Sequence, residues 1–244
     1  MQTSPSRIAL VTGANKGIGL EIAGTLARKG MRVLLGARNP ELGGAAAAQL
    51  REQGLDVQFL ELDLSRPDTL HHAAAWIEKH GEKLDVLVNN AGITVAGDGP
   101  PTVADVDAVR RIFETNFFGT LALTQAMLPL LRKSDAGRIV NVSSGLGSIT
   151  LNGDPAWEFA SVKLLGYNAS KAALNMLTVQ LAAELRDTPI KVNSANPGFT
   201  ATDLNQHRGY QTVEQGAAEA IRLALLPQDG PTGGFFSSSG ANPW

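Results

Sequence analysis

The chain has 244 residues, 43% of them hydrophobic, with 21 basic against 23 acidic side chains and no cysteine. A near-neutral, evenly mixed charge argues against a nucleic-acid or membrane-surface protein, since both carry a basic patch or tail, and the missing thiols exclude disulfides and thiolate chemistry. His71, His72, His80 and His207 have no ligand spacing with carboxylates, so no metal site is expected.

Residues 1–7 are polar, and no apolar run approaches the ~20 residues of a membrane span. The chain therefore reads as a cytoplasmic protein forming one domain, 1–244. Ile8–Thr12 is a short apolar run suited to a buried parallel strand. It runs into Gly13-Ala14-Asn15-Lys16-Gly17-Ile18-Gly19 and then into a helical pattern through Leu26 that stops near Gly30. Strand, glycine-rich turn and helix present backbone N–H groups and a helix N-terminus to a phosphate, and the glycines let the backbone approach a pyrophosphate closely.

Arg32–Ala37 reads as a second strand. At its end, NAD sites place an acid for the ribose hydroxyls; here Ala37-Arg38 follows, with no acid before Glu41. Arg38 and Lys16 suit a ribose 2′-phosphate, the alternative being two ordinary surface cations. The missing acid favours NADP(H).

The alternation continues with a helix over Asn39–Gln53, a strand over Val57–Leu62 ending at Asp63, a helix over Pro67–His80, and a strand over Leu84–Val88 leading into Asn89-Asn90-Ala91-Gly92. A Gly/Pro loop precedes a long helical stretch, Val103–Lys133, and Arg138–Val142 is a fifth strand ending in Ser143-Ser144-Gly145. Leu146–Leu165 reads as irregular. A helix to Asp187, a strand over Ile190–Ala195, Asn196-Pro197-Gly198, a helix over Val213–Leu226 and a last strand near Gly234–Ser237 complete the chain. This pattern implies a single-domain α/β Rossmann-type fold: a doubly wound parallel sheet of about seven strands with helices on both faces. Gly13, Arg38, Asp63, Asn89, Ser144 and Pro197 fall at predicted strand C-termini, where such sheets bind ligands.

Tyr167 and Lys171 lie four apart on a predicted helix, so phenol and ammonium share a face. A lysine beside a tyrosine favours the phenolate and is expected to lower its pKa toward the working range.

With these motifs in order, the chain resembles the short-chain dehydrogenase/reductase family along essentially its whole length: Thr12-Gly13-x-x-x-Gly17-x-Gly19, Asp63, Asn89-Asn90-Ala91-Gly92, Asn116, Ser144, Tyr167-x-x-x-Lys171 and Asn196-Pro197-Gly198 with Thr202. Asn116-Phe117-Phe118-Gly119-Thr120, Pro197–Asp203 and the tail Gly233-Gly234-Phe235-Phe236 are similar to its carbonyl reductase branch, which usually takes NADPH. The resemblance implies hydride transfer to a ketone or aldehyde, with Tyr167 as proton donor and Ser144 bonding the substrate oxygen. Lys171 would hold the nicotinamide ribose, and Asn116 a water on the proton route. Asp63 and Leu64 would lie at the adenine, and Asn89, Ala91 and Gly92 along the cofactor. The glycine turn with Asn15 and Ile18 would hold the pyrophosphate, and Pro197, Gly198, Thr200 and Thr202 would sit near the pyrophosphate or carboxamide.

Alternatives are an alcohol or sugar dehydrogenase or a ketoacyl-thioester reductase with the same residues, or a cofactor-binding protein without chemistry. The segment between Ser144 and Tyr167, with Trp157 and Phe159, is longer than in tetrameric members, which favours a monomer over a homo-oligomer. Leu204–Gln211 is expected to be a mobile substrate lid with Gly209 as a flexible point.

Overall fold

The computed structural model describes residues 7–81 and 83–244; of the polar leading segment 1–7, only Arg7 falls among them. Its strands are β1 (Ile8–Thr12), β2 (Arg32–Ala37), β3 (Val57–Glu61), β4 (Val86–Asn89), β5 (Arg138–Val142), β6 (Lys191–Ala195), β7 (Phe235–Ser237) and β8 (Gly240–Ala241). They form one eight-stranded sheet in the order β3-β2-β1-β4-β5-β6-β7-β8. Neighbours run parallel except β7 and β8. About seven strands are expected from sequence; the eighth is a two-residue return after a turn at Ser238-Ser239, opening on Gly240, whose φ of 112° needs glycine. It is too short to carry a hydrophobic period.

The strands are apolar along their length because both faces are covered. Ala9 and Val11 of β1 join one buried cluster, and Ile8 and Leu10 the other, as a period of two requires. The first cluster packs under α1 (Gly17–Arg28), α2 (Pro40–Glu52) and α8 (Val213–Ala224) through Ile22, Leu26, Ala47, Leu50 and Leu223. The second packs under α3 (Pro67–Gly81) and the later helices over Thr120–Leu131 and Leu165–Glu184 through Leu70, Ile77, Leu123, Met127 and Leu181.

The stretch expected as one helix over Val103–Lys133 is α4 (Val106–Phe113), a π-helical turn over Glu114–Gly119, and α5 (Thr120–Leu131). Asp105 caps α4 by accepting from Asp107 N–H at 3.0 Å. Asn116 accepts from Ile93 N–H at 2.8 Å and donates to Ile93 C=O at 3.0 Å. The π turn thus presents Asn116 to the β4–α4 loop. Leu146–Leu165, expected to be irregular, holds a short α6 (Ile149–Gly153) capped by Ser148. The helix bearing Tyr167 is α7 (Leu165–Glu184). Strand order reverses between β1 and β4, which opens the crevice where doubly wound sheets bind ligands.

Candidate active site

A cavity of about 500 Å³ lies at this crevice, lined by the glycine turn (Gly13, Asn15, Lys16, Gly17, Ile18, Gly19), Arg38, Asp63, Leu64, Ala91, Gly92, Tyr167, Lys171, Pro197 and Thr202. Gly13 and Gly17 have φ of 62° and 54°, where other residues are strained. A Cβ on Gly13 would stand 3.0 Å from Ala91 Cα, and one on Gly19 would stand 2.5 Å from the Gly13 carbonyl. The turn is thus packed on the end of β4. Asn90 completes it: its side-chain amide donates to Thr12 O at 2.9 Å and Gly13 O at 3.3 Å, and the Asn90 and Ala91 N–H groups donate to the Thr12 hydroxyl. No side chain caps α1, and its first turn holds no acid, a helix end suited to an anion.

At the other end Tyr167 and Lys171 are buried on one face of α7. The Ser144 hydroxyl faces the Tyr167 phenol and acts to lower its pKa. The Ser143 hydroxyl instead donates to the Lys171 carbonyl at 3.5 Å. Lys171 Nζ donates to Val142 O at 2.8 Å. A Cβ on Gly92 would lie 3.3 Å from that Nζ and 3.5 Å from Asn116 Oδ1, so the three residues share one small space. Asn196 steadies the turn after Ser144: its Oδ1 accepts from Gly145 N–H at 3.1 Å and Gly198 N–H at 3.0 Å, and its amide donates to Asn242 Oδ1 at 3.2 Å.

One expectation is corrected. Lys171 does not draw the Tyr167 pKa toward neutrality in this chain. Burial pushes the phenol up to about 12, against a lowering by the Ser144 hydroxyl, and burial pushes Lys171 down to about 8. The physical reason is placement: Nζ is 5.7 Å from the centre of the Tyr167 ring and spends a hydrogen bond on Val142. Desolvation therefore outweighs attraction.

Five of the sequence-predicted residues, Asn89, Asn116, Ser144, Gly198 and Thr200, are not among those that line the cavity, whereas Ser143 is. Asn89 turns its side chain into the buried second face, donating to Thr124 at 3.1 Å and Asn141 at 2.8 Å. Thr200 is buried, donates to Pro197 O at 3.1 Å and packs on Gly216. Gly198, with φ of 71°, packs on Gln211. Ser144 and Asn116 reach the site through Tyr167 and through the space at Gly92.

Comparison with known proteins decides the family. A family model described as short chain dehydrogenase matches residues 7–212. The chain belongs to the short-chain dehydrogenase family. It is 35% identical to short-chain dehydrogenase/reductase 1 of Saponaria officinalis, over 98% of this chain and 96% of that protein. It is 36% identical to carbonyl reductase (NADPH) 3 of Rattus norvegicus, over 93% and 94%. The solved structure of a short chain dehydrogenase from Escherichia coli CFT073 complexed with NADPH superposes with a TM-score of 0.81 at 33% identity, covering 95% of each chain.

In this short-chain dehydrogenase the cleft is crossed by residues that the motifs do not announce. Asp203 pairs with Lys16 of the glycine turn, and its Oδ1 lies 2.7 Å from His207 Nε2. Hydrogen bonds from Lys16 and then His207 hold the Asp203 carboxyl below its ordinary range. The loop carrying them is tightly bonded: Ala201 N–H donates to Gln211 O at 2.9 Å and Gln211 N–H to Phe199 O at 3.1 Å. Gly209 is pressed against the Phe199 carbonyl, where a Cβ would lie 2.6 Å away, so its role is close packing rather than a hinge. Trp157, Phe159, Phe199 and Tyr210 form an edge-to-face run with ring centres 5.5, 5.7 and 5.8 Å apart. Trp157 lies over Gly145, next to Ser144. Among the described residues no helix is long and apolar enough to cross a membrane, and no cluster of three or more His, Cys, Asp or Glu is placed to hold a metal.

Proposed function

We propose that this enzyme is an NADPH-dependent reductase of ketones or aldehydes in which Tyr167 donates the proton. The observation that carries this is the pairing of two ends of one cleft. At the inner end stand Tyr167, faced by the Ser144 hydroxyl, and the buried Lys171; at the outer end stand Arg38 and Lys16, with no acid at the end of β2. The residues fit such a cofactor: the close-packed glycine turn and uncapped α1 suit a pyrophosphate, and Arg38 with Lys16 suits a ribose 2′-phosphate. Asp63 and Leu64 would serve the adenine, Ala91 and Gly92 the middle of the molecule, and Lys171, Pro197 and Thr202 its reactive end, all of them lining the cavity. Bound there, NADPH supplies the hydride.

The chain's own residues handle the proton. A phenol held near 12 stays protonated across the neutral range and is a donor rather than a base. Its hydroxyl gives the proton to the substrate oxygen, while the Ser144 hydroxyl donates a hydrogen bond that strengthens as charge develops there. Lys171, held near 8, exchanges a proton close to neutrality, and Asn116, in the same small space, sits on the route that replenishes Tyr167. The aromatic run beside Ser144 supports an apolar, ring-bearing carbonyl compound over a highly charged one.

The test is an NADPH-oxidation screen across small ketones, aldehydes, quinones and ketoacyl thioesters, with NADH as control. Carbonyl-dependent oxidation that prefers NADPH is expected. Tight NADPH binding without oxidation on any carbonyl would overturn the reading in favour of a binding protein.

A further inference from the structure

Tyr167 sits in the first turn of α7, a helix whose own N-cap residue, Leu164, supplies no side-chain cap. The leading N–H groups of a helix have no partner within it, and local Ser, Thr, Asp or Asn residues usually serve them. Here the partners come from the loop between β4 and α4. Leu165 N–H donates to Gly99 O at 3.0 Å, Gly166 N–H to Asp98 Oδ1 at 2.7 Å, and Tyr167 N–H to Asp98 Oδ2 at 3.0 Å. Asp98 is itself held, its Oδ1 also accepting from Gly99 N–H at 3.0 Å. Gly97, at φ of 95°, turns the loop and accepts from Asp105 N–H at 2.9 Å, tying it to the cap of α4. The close approach needs Gly166: a Cβ there would lie 2.9 Å from Ile112 Cδ1 and 3.2 Å from Asp98 Oδ1.

We propose that Asp98 is a positioning residue for Tyr167, grasping the catalytic helix by two backbone N–H groups and setting both the place and the proton affinity of its phenol. The role rests on Tyr167 being the proton donor. Both oxygens of one carboxylate serve consecutive amides, so the backbone from which the phenol projects is fixed against the loop that also carries Gly92 and Ile93 at the cavity wall. The charge also has a sign effect. A helix N-terminus favours a nearby anion, here the tyrosinate, and a carboxylate seated on the same N–H groups cancels part of that field. The other groups facing Tyr167 are Lys171 from its own helix and the Ser144 hydroxyl from the β5–α6 turn. Removing Asp98 therefore lowers the tyrosine pKa and loosens its position together.

The test uses Asp98→Asn and Asp98→Ala; the isosteric amide keeps an acceptor for Gly166 if the alanine variant does not fold. The chain has two tyrosines, so in a Tyr210→Phe background Tyr167 alone reports in an NMR titration of tyrosine labelled at Cζ. The expected result is a midpoint lower by roughly half a pH unit. In the parent background, kcat should fall at least ~10-fold, the alkaline limb of kcat should move the same way, and NADPH affinity should hold within about twofold. An Asp98→Asn protein with unchanged midpoint and kcat would overturn the proposal, as would equal loss of cofactor affinity and kcat with an unmoved midpoint. If the unsubstituted chain oxidises NADPH on no carbonyl, the reductase reading fails, and the titration still decides the role of Asp98.

Discussion

Replacing Arg38 with aspartate tests the cofactor assignment where the chain departs from an NAD site. Arg38 is exposed at the cavity mouth and makes no ion pair among the described residues, so its guanidinium is free for a phosphate. A charge-assisted bond to phosphate contributes about 1.5–3 kcal/mol, and exposure argues for the lower end, roughly a factor of ten. The new carboxylate adds repulsion, so NADPH affinity should fall roughly 10- to 100-fold. Lys16 remains as the second cation, and its pairing with Asp203 is solvent-screened and easily given up, which keeps the loss from being complete. NADH has no 2′-phosphate to repel and gains an acceptor for its ribose hydroxyls; its affinity should hold or improve. Titrating both dinucleotides by quenching of protein fluorescence gives the ratio. An unchanged NADPH-to-NADH ratio would refute the reading of the β2 end.

The two buried ionisable groups make opposite contributions to stability as pH rises. Tyr167, raised from 10.0 to about 12, contributes stability that is full below pH 10 and lost as pH climbs through about 12. Lys171, lowered from 10.5 to about 8, imposes a penalty that is full below about pH 8 and relieved by about pH 10.5. Each amounts to about 3 kcal/mol at ~1.4 kcal/mol per pKa unit. In urea unfolding, the parent should lose ground to Tyr167→Phe between pH 10 and 12 and gain on Lys171→Met between about pH 8 and 10.5; pH-independent differences would refute both. Gly19→Ala should cost ~1–3 kcal/mol by forcing the Asn90 amide and the Gly13 carbonyl apart, together with lost NADPH affinity. An alanine variant with parental thermal stability and affinity would show that the glycine turn has room to spare.

The sheet and its order of elements were legible because both-face burial leaves near-continuous apolar strands punctuated by glycine turns. Tyr167, Lys171 and the glycine turn were legible because each needs a local spacing. Which asparagine of Asn89-Asn90 serves the cavity was not. Successive residues face opposite sides as a strand ends, so Asn89 meets Thr124 and Asn141 while Asn90 meets Thr12 and Gly13. The family motif does bracket both residues. Asp98 left no signal, since its partner Gly166 lies 68 residues away in sequence, and Asp203, though inside the Pro197–Asp203 motif, did not disclose its pairing with Lys16, 187 residues away. The bonds of Asn116 to Ile93 were hidden for the same reason. The tyrosine pKa was misjudged because spacing reveals a neighbouring lysine but not where its Nζ points or how deeply both groups are buried.

The central claim is that Tyr167 donates the proton in carbonyl reduction, and comparing Tyr167→Phe with the parent tests it most directly. The substitution removes one hydroxyl from a buried ring beside Ser144 and leaves the outer end of the cleft intact. In carbonyl-dependent NADPH oxidation, kcat should fall at least ~10²-fold while NADPH affinity stays near that of the parent. A phenylalanine variant that reduces the same carbonyl at the parental rate would contradict the account.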